Sequence, residues 1–225
     1  MAVNKEVYNK LNETLLQRGV TLVAVSKTKP VSDILELYEL GHRDFGENYV
    51  QEMVDKQAQL PSDIRWHFIG HLQRNKVKYL APFVHLIHGV DSFELLQEIN
   101  KQAQRNSRQI PVLLQMHIAT EETKYGLNEE ELKDLIASVA DVPQPNVRIE
   151  GFMGMASFTD KKEQVEEEFR KLKALFNEYR ALRTSTIHFT QLSMGMSGDY
   201  EIAIEHGSTI VRIGSLLFGA RSAAP

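Results

Sequence analysis

Eight short apolar runs, each set off from the next by a segment of helical periodicity, constrain this chain more than any other feature it has. In order the runs are TLVAVS, HRDFG, WHFIG, VHLIHGV, PVLLQMHI, VRIEGFMGM, TIHFTQLSMG and STIVRIG. Between them stand VSDILELYEL, NYVQEMVDKQAQL, QRNKVKYL, SFELLQEINKQAQ, NEEELKDLIASVA, a long helix from about Asp160 to Leu182, and GDYEIAIEHG. Nearly continuous apolar runs joined by helix-length crossovers are what parallel strands need, because both faces of each strand are covered. A count of eight predicts a closed (β/α)8 TIM barrel, and 225 residues lies near the ~250 typical of that fold. A doubly wound open sheet is the other architecture that such alternation allows. Ahead of the first run, Val3, Val7, Leu11 and Leu15 recur at helical spacing, which predicts an additional N-terminal helix ending at Gly19. No linker, low-complexity segment or tandem repeat interrupts the pattern, so residues 1–225 read as one domain.

Composition removes several classes of function. Lysines and arginines number 26 against 30 acids, for a net charge of −4, and no basic block stands out. The electrostatic footprint of a nucleic-acid binder is therefore missing. The absence of cysteine excludes disulfides, thiol nucleophiles and cysteine–zinc sites, and fits a reducing cytosol. The first residues, MAVNKEVYNKLNETLLQRG, lack the apolar centre of a signal peptide, and no run approaches the ~18–20 residues of a membrane span. A cytoplasmic protein with no membrane partner is expected.

In such a barrel, functional residues gather where strands end, and phosphate sites often follow the seventh and eighth strands. Those ends carry Lys27 and Lys29, Glu47 and Asn48, His71 and Gln73, Thr120 to Lys124, then Gly195, Ser197 and Gly198, and last Arg212, Gly214 and Ser215. Lys27 closes an apolar run, where partial desolvation frees an amine for Schiff-base chemistry; an ordinary surface lysine is the plainer alternative. The turn MGMSGD lets backbone N–H groups approach an anion, with Asp199 free to cap the next helix; a routine strand–helix turn has the same composition. Arg212, set among Ile210, Val211 and Ile213, must be buried and must find a partner. A ligand would serve, and so would Glu201 or Glu205. Histidines 67, 71, 85 and 88 form no recognised metal spacing and no HExxH occurs, so no metal is expected. Met153, Met155, Met194 and Met196 read as core filler, and Val165, Phe169, Leu172, Leu175 and Tyr179 as the buried stripe of the long helix.

Five segments, VAVSKTKP, FGENYVQE, WHFIGHLQRNK, SMGMSGD and GSTIVRIGSLLFGAR, together resemble the pyridoxal 5′-phosphate homeostasis proteins, the YggS/PROSC family. The likeness runs in family order from about residue 20 to 221, with MHIATEETKYG, holding Lys124 and Gly126, a looser match. It implies a barrel similar to the N-terminal domain of fold-type III alanine racemases, binding pyridoxal 5′-phosphate and buffering or delivering it without established enzymatic activity. Pyridoxal-phosphate-dependent apo-enzymes would be the partners such delivery serves. By the same resemblance Lys27 forms the Schiff base and Asn48 lines the cofactor pocket. Ser197, Gly214 and Ser215 cradle the phosphate, and Arg212 faces the pyridine nitrogen. An arginine there disfavours ring protonation and leaves the ring a poor electron sink. The racemases add a catalytic tyrosine from a further β domain of a partner subunit, whereas this sequence stops at Pro225 just past its barrel. A monomeric, non-catalytic carrier is the expectation. The alternative is a weak racemase or related imine chemistry with Tyr49, His67 or His71 as base. A Schiff-base aldolase or phosphosugar enzyme is more distant.

Overall fold

Each strand of the barrel separates two environments, and the sequence alternates to suit them. The computed structural model describes residues 3–121 and 125–219, so Lys124 and Arg221 of the sequence reading lie outside the described residues. Helix α1 (Lys5–Gln17) precedes β1 (Thr21–Val25). There follow α2 (Val31–Glu39), β2 (Asp44–Glu47), α3 (Val50–Gln57), β3 (Arg65–Phe68), α4 (Val77–Leu80), entered through a 3₁₀ turn, and β4 (Leu86–Val90). The second half runs α5 (Phe93–Arg105), β5 (Ile110–Met116), α6 (Glu129–Asp141), β6 (Val147–Gly154), α7 (Lys162–Tyr179), β7 (Ile187–Met196), α8 (Tyr200–Glu205), β8 (Ile210–Ile213) and α9 (Ser215–Phe218). All neighbouring strands pair in parallel and β1 closes on β8, with Val23 opposite Arg212. The closed (β/α)8 barrel is present, and the open sheet is excluded.

Residues of one parity point out to the helices. Ala24, Phe45, Trp66, Phe68, Ile87, Leu192, Val211 and Ile213 belong to the large core between strands and helices. The opposite parity fills the barrel interior, where Val23, Leu86, Leu113, Met153 and Ile210 make a small apolar cluster drawn from five strands. Polar residues occupy part of that interior as well. His67, His88, Ser193 and Arg212 share the inward parity and are buried.

Three local expectations shift. The buried stripe of α1 is Tyr8, Leu11 and Leu15, because the Tyr8 ring meets His42 edge-on, and Val7 is only partly covered. On α7 the buried face is Val165, Glu168, Phe169, Leu172 and Phe176, with Leu175 and Tyr179 at its margin. The carboxylate of Glu168 is tolerated inside because it accepts from the Ser157 backbone N–H and hydroxyl, both at 2.6 Å. Met153 and Met194 are core, while Met196 is exposed. The short α9 has no counterpart in the sequence reading; its Leu217 carbonyl accepts from the N–H of Asn4, the residue that caps α1.

Candidate functional site

The six residues singled out by sequence, Lys27, Asn48, Ser197, Arg212, Gly214 and Ser215, come from β7, β8, β1 and β2 or the residues just beyond them. Those are four adjacent staves of the barrel. Ser197 and Gly214 touch directly: the Gly214 N–H donates to Ser197 Oγ at 3.3 Å. Gly214 in turn lies against β1, since a Cβ there would sit 3.2 Å from the Val25 carbonyl oxygen. Ser215 follows as the first residue of α9. Before Ser197, Gly195 holds φ at +94°, and any Cβ would meet the Cβ of Ala203 at 2.6 Å, so the turn tolerates only glycine. A Cβ on Gly198 would meet no atom within 4 Å, which leaves that side of the turn open. Asp199 does not cap α8 with its side chain as expected; its Oδ1 accepts from the Met196 N–H at 2.5 Å and folds the turn back on itself.

Arg212 is fully enclosed, and neither Glu201 nor Glu205 is its hydrogen-bond partner. Its Nη1 donates to Ser193 Oγ at 2.6 Å and its Nη2 to the Gly154 carbonyl at 3.1 Å. Burial lowers its pKa to about 10, with Asp199 pulling the other way, so it stays a cation at neutral pH. A guanidinium has five N–H donors, and two are used among the described residues.

Lys27 is partly buried and stands in a segment gripped from both sides. On one side the Ser26 hydroxyl donates to Glu47 Oε1 at 2.7 Å; on the other the Thr28 N–H donates to Glu52 Oε1 at 2.6 Å. Lys56 joins these acceptors. Its Nζ donates to the Ser26 carbonyl at 2.8 Å and to Glu47 and Glu52 at 2.7 Å each. The grip holds Thr28 at φ +64°, an unusual value for a branched residue. Burial pushes the Glu47 carboxyl upward, and the Lys56 ammonium works against it. Lys29, the poorer sequence candidate, is spoken for: its Nζ donates to the Phe218 carbonyl at 2.8 Å and joins the loop after β1 to α9. Asn48 follows β2 directly, and its Oδ1 is buried with no hydrogen-bond partner among the described residues. A buried acceptor left open beside a strand end is a site that a ligand donor would satisfy.

Sequence reasoning missed Lys56, Glu52 and the structural use of Glu47. It also missed a run of polar groups through the barrel interior. Ser193 Oγ lies 3.0 Å from His88 Nδ1, His88 Nε2 lies 3.0 Å from His67 Nδ1, and His67 Nε2 lies 3.0 Å from Asp44 Oδ1. His88 sits within β4. Of the alternative bases, His67 has both ring nitrogens engaged inside the barrel, Tyr49 is exposed, and His71 stacks on Tyr125 with ring centroids 4.2 Å apart. At the opposite mouth, Asp44, His67 and His85 have ligand-capable atoms within 4.8 Å of one another, beside a cavity of about 190 Å³. Arg65 already holds both Asp44 oxygens there, at 2.7 and 2.5 Å.

Residues 5–222 match the family model described as alanine racemase, N-terminal domain. The pyridoxal phosphate homeostasis protein of Aquifex aeolicus is 45% identical over 201 residues, covering 89% of this chain and 86% of its own. That of Escherichia coli K12 is 39% identical over 206 residues, covering 90% and 86%. Among solved structures, PipY of Synechococcus elongatus with pyridoxal phosphate bound is 32% identical with a TM-score of 0.83, covering 95% of this chain and all of its own. An alanine racemase of Bartonella henselae, 18% identical with a TM-score of 0.70, shares the fold over 97% of this chain and 60% of its own. No helix among the described residues is long and apolar enough to cross a membrane.

Proposed function

Because the chain belongs to the alanine racemase N-terminal domain family and, within it, to the pyridoxal phosphate homeostasis proteins, we propose that it binds pyridoxal 5′-phosphate as a Schiff base on Lys27 and holds it as a non-catalytic carrier or buffer. The residues present fit that cofactor. Lys27 offers the amine, the adjoining ends of β7 and β8 offer the Ser197 and Ser215 hydroxyls for a phosphate, and Asn48 Oδ1 is an acceptor still open among the described residues. When bound, the cofactor supplies a reactive aldehyde and a ring able to draw electrons from an attached carbon.

The observation that carries the reading is the setting of Arg212. It is a buried cation held by a hydroxyl and a carbonyl, with no carboxylate in its hydrogen bonds among the described residues. Against a bound ring nitrogen it would oppose protonation of that nitrogen and weaken the ring as an electron sink. Ser26, Glu47, Glu52 and Lys56 fix the backbone on both sides of Lys27, which holds the amine in place. The reading takes the chain as one domain and a monomer, since a closed barrel leaves no strand edge free to pair. Cytoplasmic apo-enzymes that need the cofactor are its partners.

The test is an absorbance spectrum of purified protein with pyridoxal phosphate, before and after borohydride, followed by peptide mapping. A yellow protein labelled at Lys27, and a Lys27→Ala variant with no reducible adduct, are expected. A colourless protein that takes up no cofactor refutes the reading. Deuterium exchange at the α-carbon of any amino acid, lost in Lys27→Ala, would establish the racemase-like alternative instead.

A further inference from the structure

The polar run inside the barrel has a direction that elementary donor and acceptor counting determines. Arg212 can only donate, so Ser193 Oγ accepts from it at 2.6 Å. The Ser193 hydroxyl proton then needs an acceptor of its own. Among the described residues the other partner of that oxygen is His88 Nδ1, which must therefore be bare. At the far end, burial raises the Asp44 carboxyl, but hydrogen bonds from Arg65 and His67 more than offset it and hold Asp44 well below the usual carboxylate range. An ionised carboxylate only accepts, so His67 Nε2 carries a proton. His88, enclosed on all sides, is held neutral by burial. With Nδ1 bare, its proton lies on Nε2 and is donated to His67 Nδ1. Each link of the run then has one donor facing one acceptor, from Arg212 through Ser193, His88 and His67 to Asp44.

The opposite polarity fails at one point. It would have His88 donate to Ser193, giving that oxygen two donors and leaving its own proton without an acceptor in a buried site. We infer that His88 and His67 are positioning residues of the cofactor site: they hold Ser193 as an acceptor and so orient the Arg212 guanidinium from inside the barrel. This rests on the proposed binding of pyridoxal phosphate. The strands deliver the pieces with consistent parity, β2, β3, β4, β7 and β8 each contributing one inward residue.

Two measurements test it. In cofactor-free protein with ¹⁵N-labelled histidine at pH 7, long-range proton–nitrogen spectra are expected to show His67 and His88 both protonated at Nε2 and bare at Nδ1. A proton on Nδ1 of either ring overturns the assignment. With pyridoxal phosphate added, His88→Phe is expected to keep the reducible adduct at Lys27, to shift the absorbance maximum of the loaded protein and to weaken binding about tenfold, the size of one lost hydrogen bond. His88→Gln, which offers both an acceptor and a donor, is expected to restore the wild-type spectrum in part. A folded His88→Phe with unchanged spectrum and affinity overturns the coupling. Should His88→Phe not fold, a His88→Gln spectrum and affinity identical to those of His67→Phe would do the same. A wild-type protein that takes up no cofactor refutes the proposed function and the coupling with it, while the tautomers in the cofactor-free chain still decide the direction of the hydrogen bonds.

Discussion

Replacing Lys56 with methionine strips the grip around Lys27 of its ammonium while keeping the bulk of the side chain. Lys56 makes three hydrogen bonds of 2.7 to 2.8 Å, and Glu47, its deepest partner, has no exposed surface. Removing one partner of a buried ion pair costs about 3–5 kcal/mol, because the other charge is left stranded. An independent bound agrees. A stranded Glu47 can always escape by taking a proton, at about 1.4 kcal/mol for each pH unit above its ordinary value near 4.3, or about 4 kcal/mol at pH 7. Glu52 is partly exposed and keeps its bond to Thr28, so its share is about 0–1 kcal/mol. The bound also gives the effect a signature. In the variant the folded state binds the Glu47 proton more tightly than the unfolded state, so the loss of stability shrinks as pH falls, to about 2 kcal/mol at pH 5.5. Urea unfolding of Lys56→Met at pH 7 and 5.5 reads both numbers, and Glu47→Gln added to Lys56→Met is expected to recover most of the loss at pH 7. Titration with pyridoxal phosphate should show weaker binding as the Lys27 segment loosens. A loss under about 1 kcal/mol, or one that does not change with pH, refutes this account of the cluster.

Two further outcomes follow from buried groups and close backbone approach. Burial lowers the His42 pKa to about 4, against the hydrogen bond from Nε2 to the Asp44 carbonyl that raises it. The unfolded state thus binds the proton first, and stability is full above about pH 6.5 and falls by up to ~3 kcal/mol as pH drops toward 4. His42→Gln should make the urea midpoint less steep across that interval; an unaltered slope would count against burial of a neutral ring. Gly151 sits at a register shift of β6 with φ +151°, and a Cβ there would lie 1.8 Å from the Gln191 carbonyl oxygen. Gly151→Ala is expected to cost more than about 4 kcal/mol or to prevent folding, as read by thermal melting. A melt within a few degrees of wild type would show that β7 can yield.

The barrel was legible because its strands are covered on both faces and so read as unbroken apolar runs, while its helices carry one stripe each. Lys27 and Arg212 stood out for the same reason: a charge at the end of such a run, or within one, is conspicuous. Lys56 was not. Within VQEMVDKQ it looks like any solvated helix residue, and only the packing of α3 on β2 brings its amine to Glu47 and the Ser26 carbonyl. His67 and His88 each fit the inward parity of a strand, yet nothing in either segment signals that they meet across 3.0 Å. The α1 stripe slipped by one position because Val7 and Tyr8 are both apolar enough for the periodicity, and a tertiary contact with His42 chose between them.

The clasp from Lys29 to Phe218 lies on the seam where the first stave of the barrel meets the last. Lys27 follows β1, whereas Arg212 lies in β8 and Gly214 and Ser215 follow it, so the whole ring separates them in sequence. A chain lacking β8 cannot bring these residues together, and pairing ends so distant in sequence is slow. On the proposed binding, uptake of cofactor is a readout of ring closure, and a chain cut before β8 takes up none.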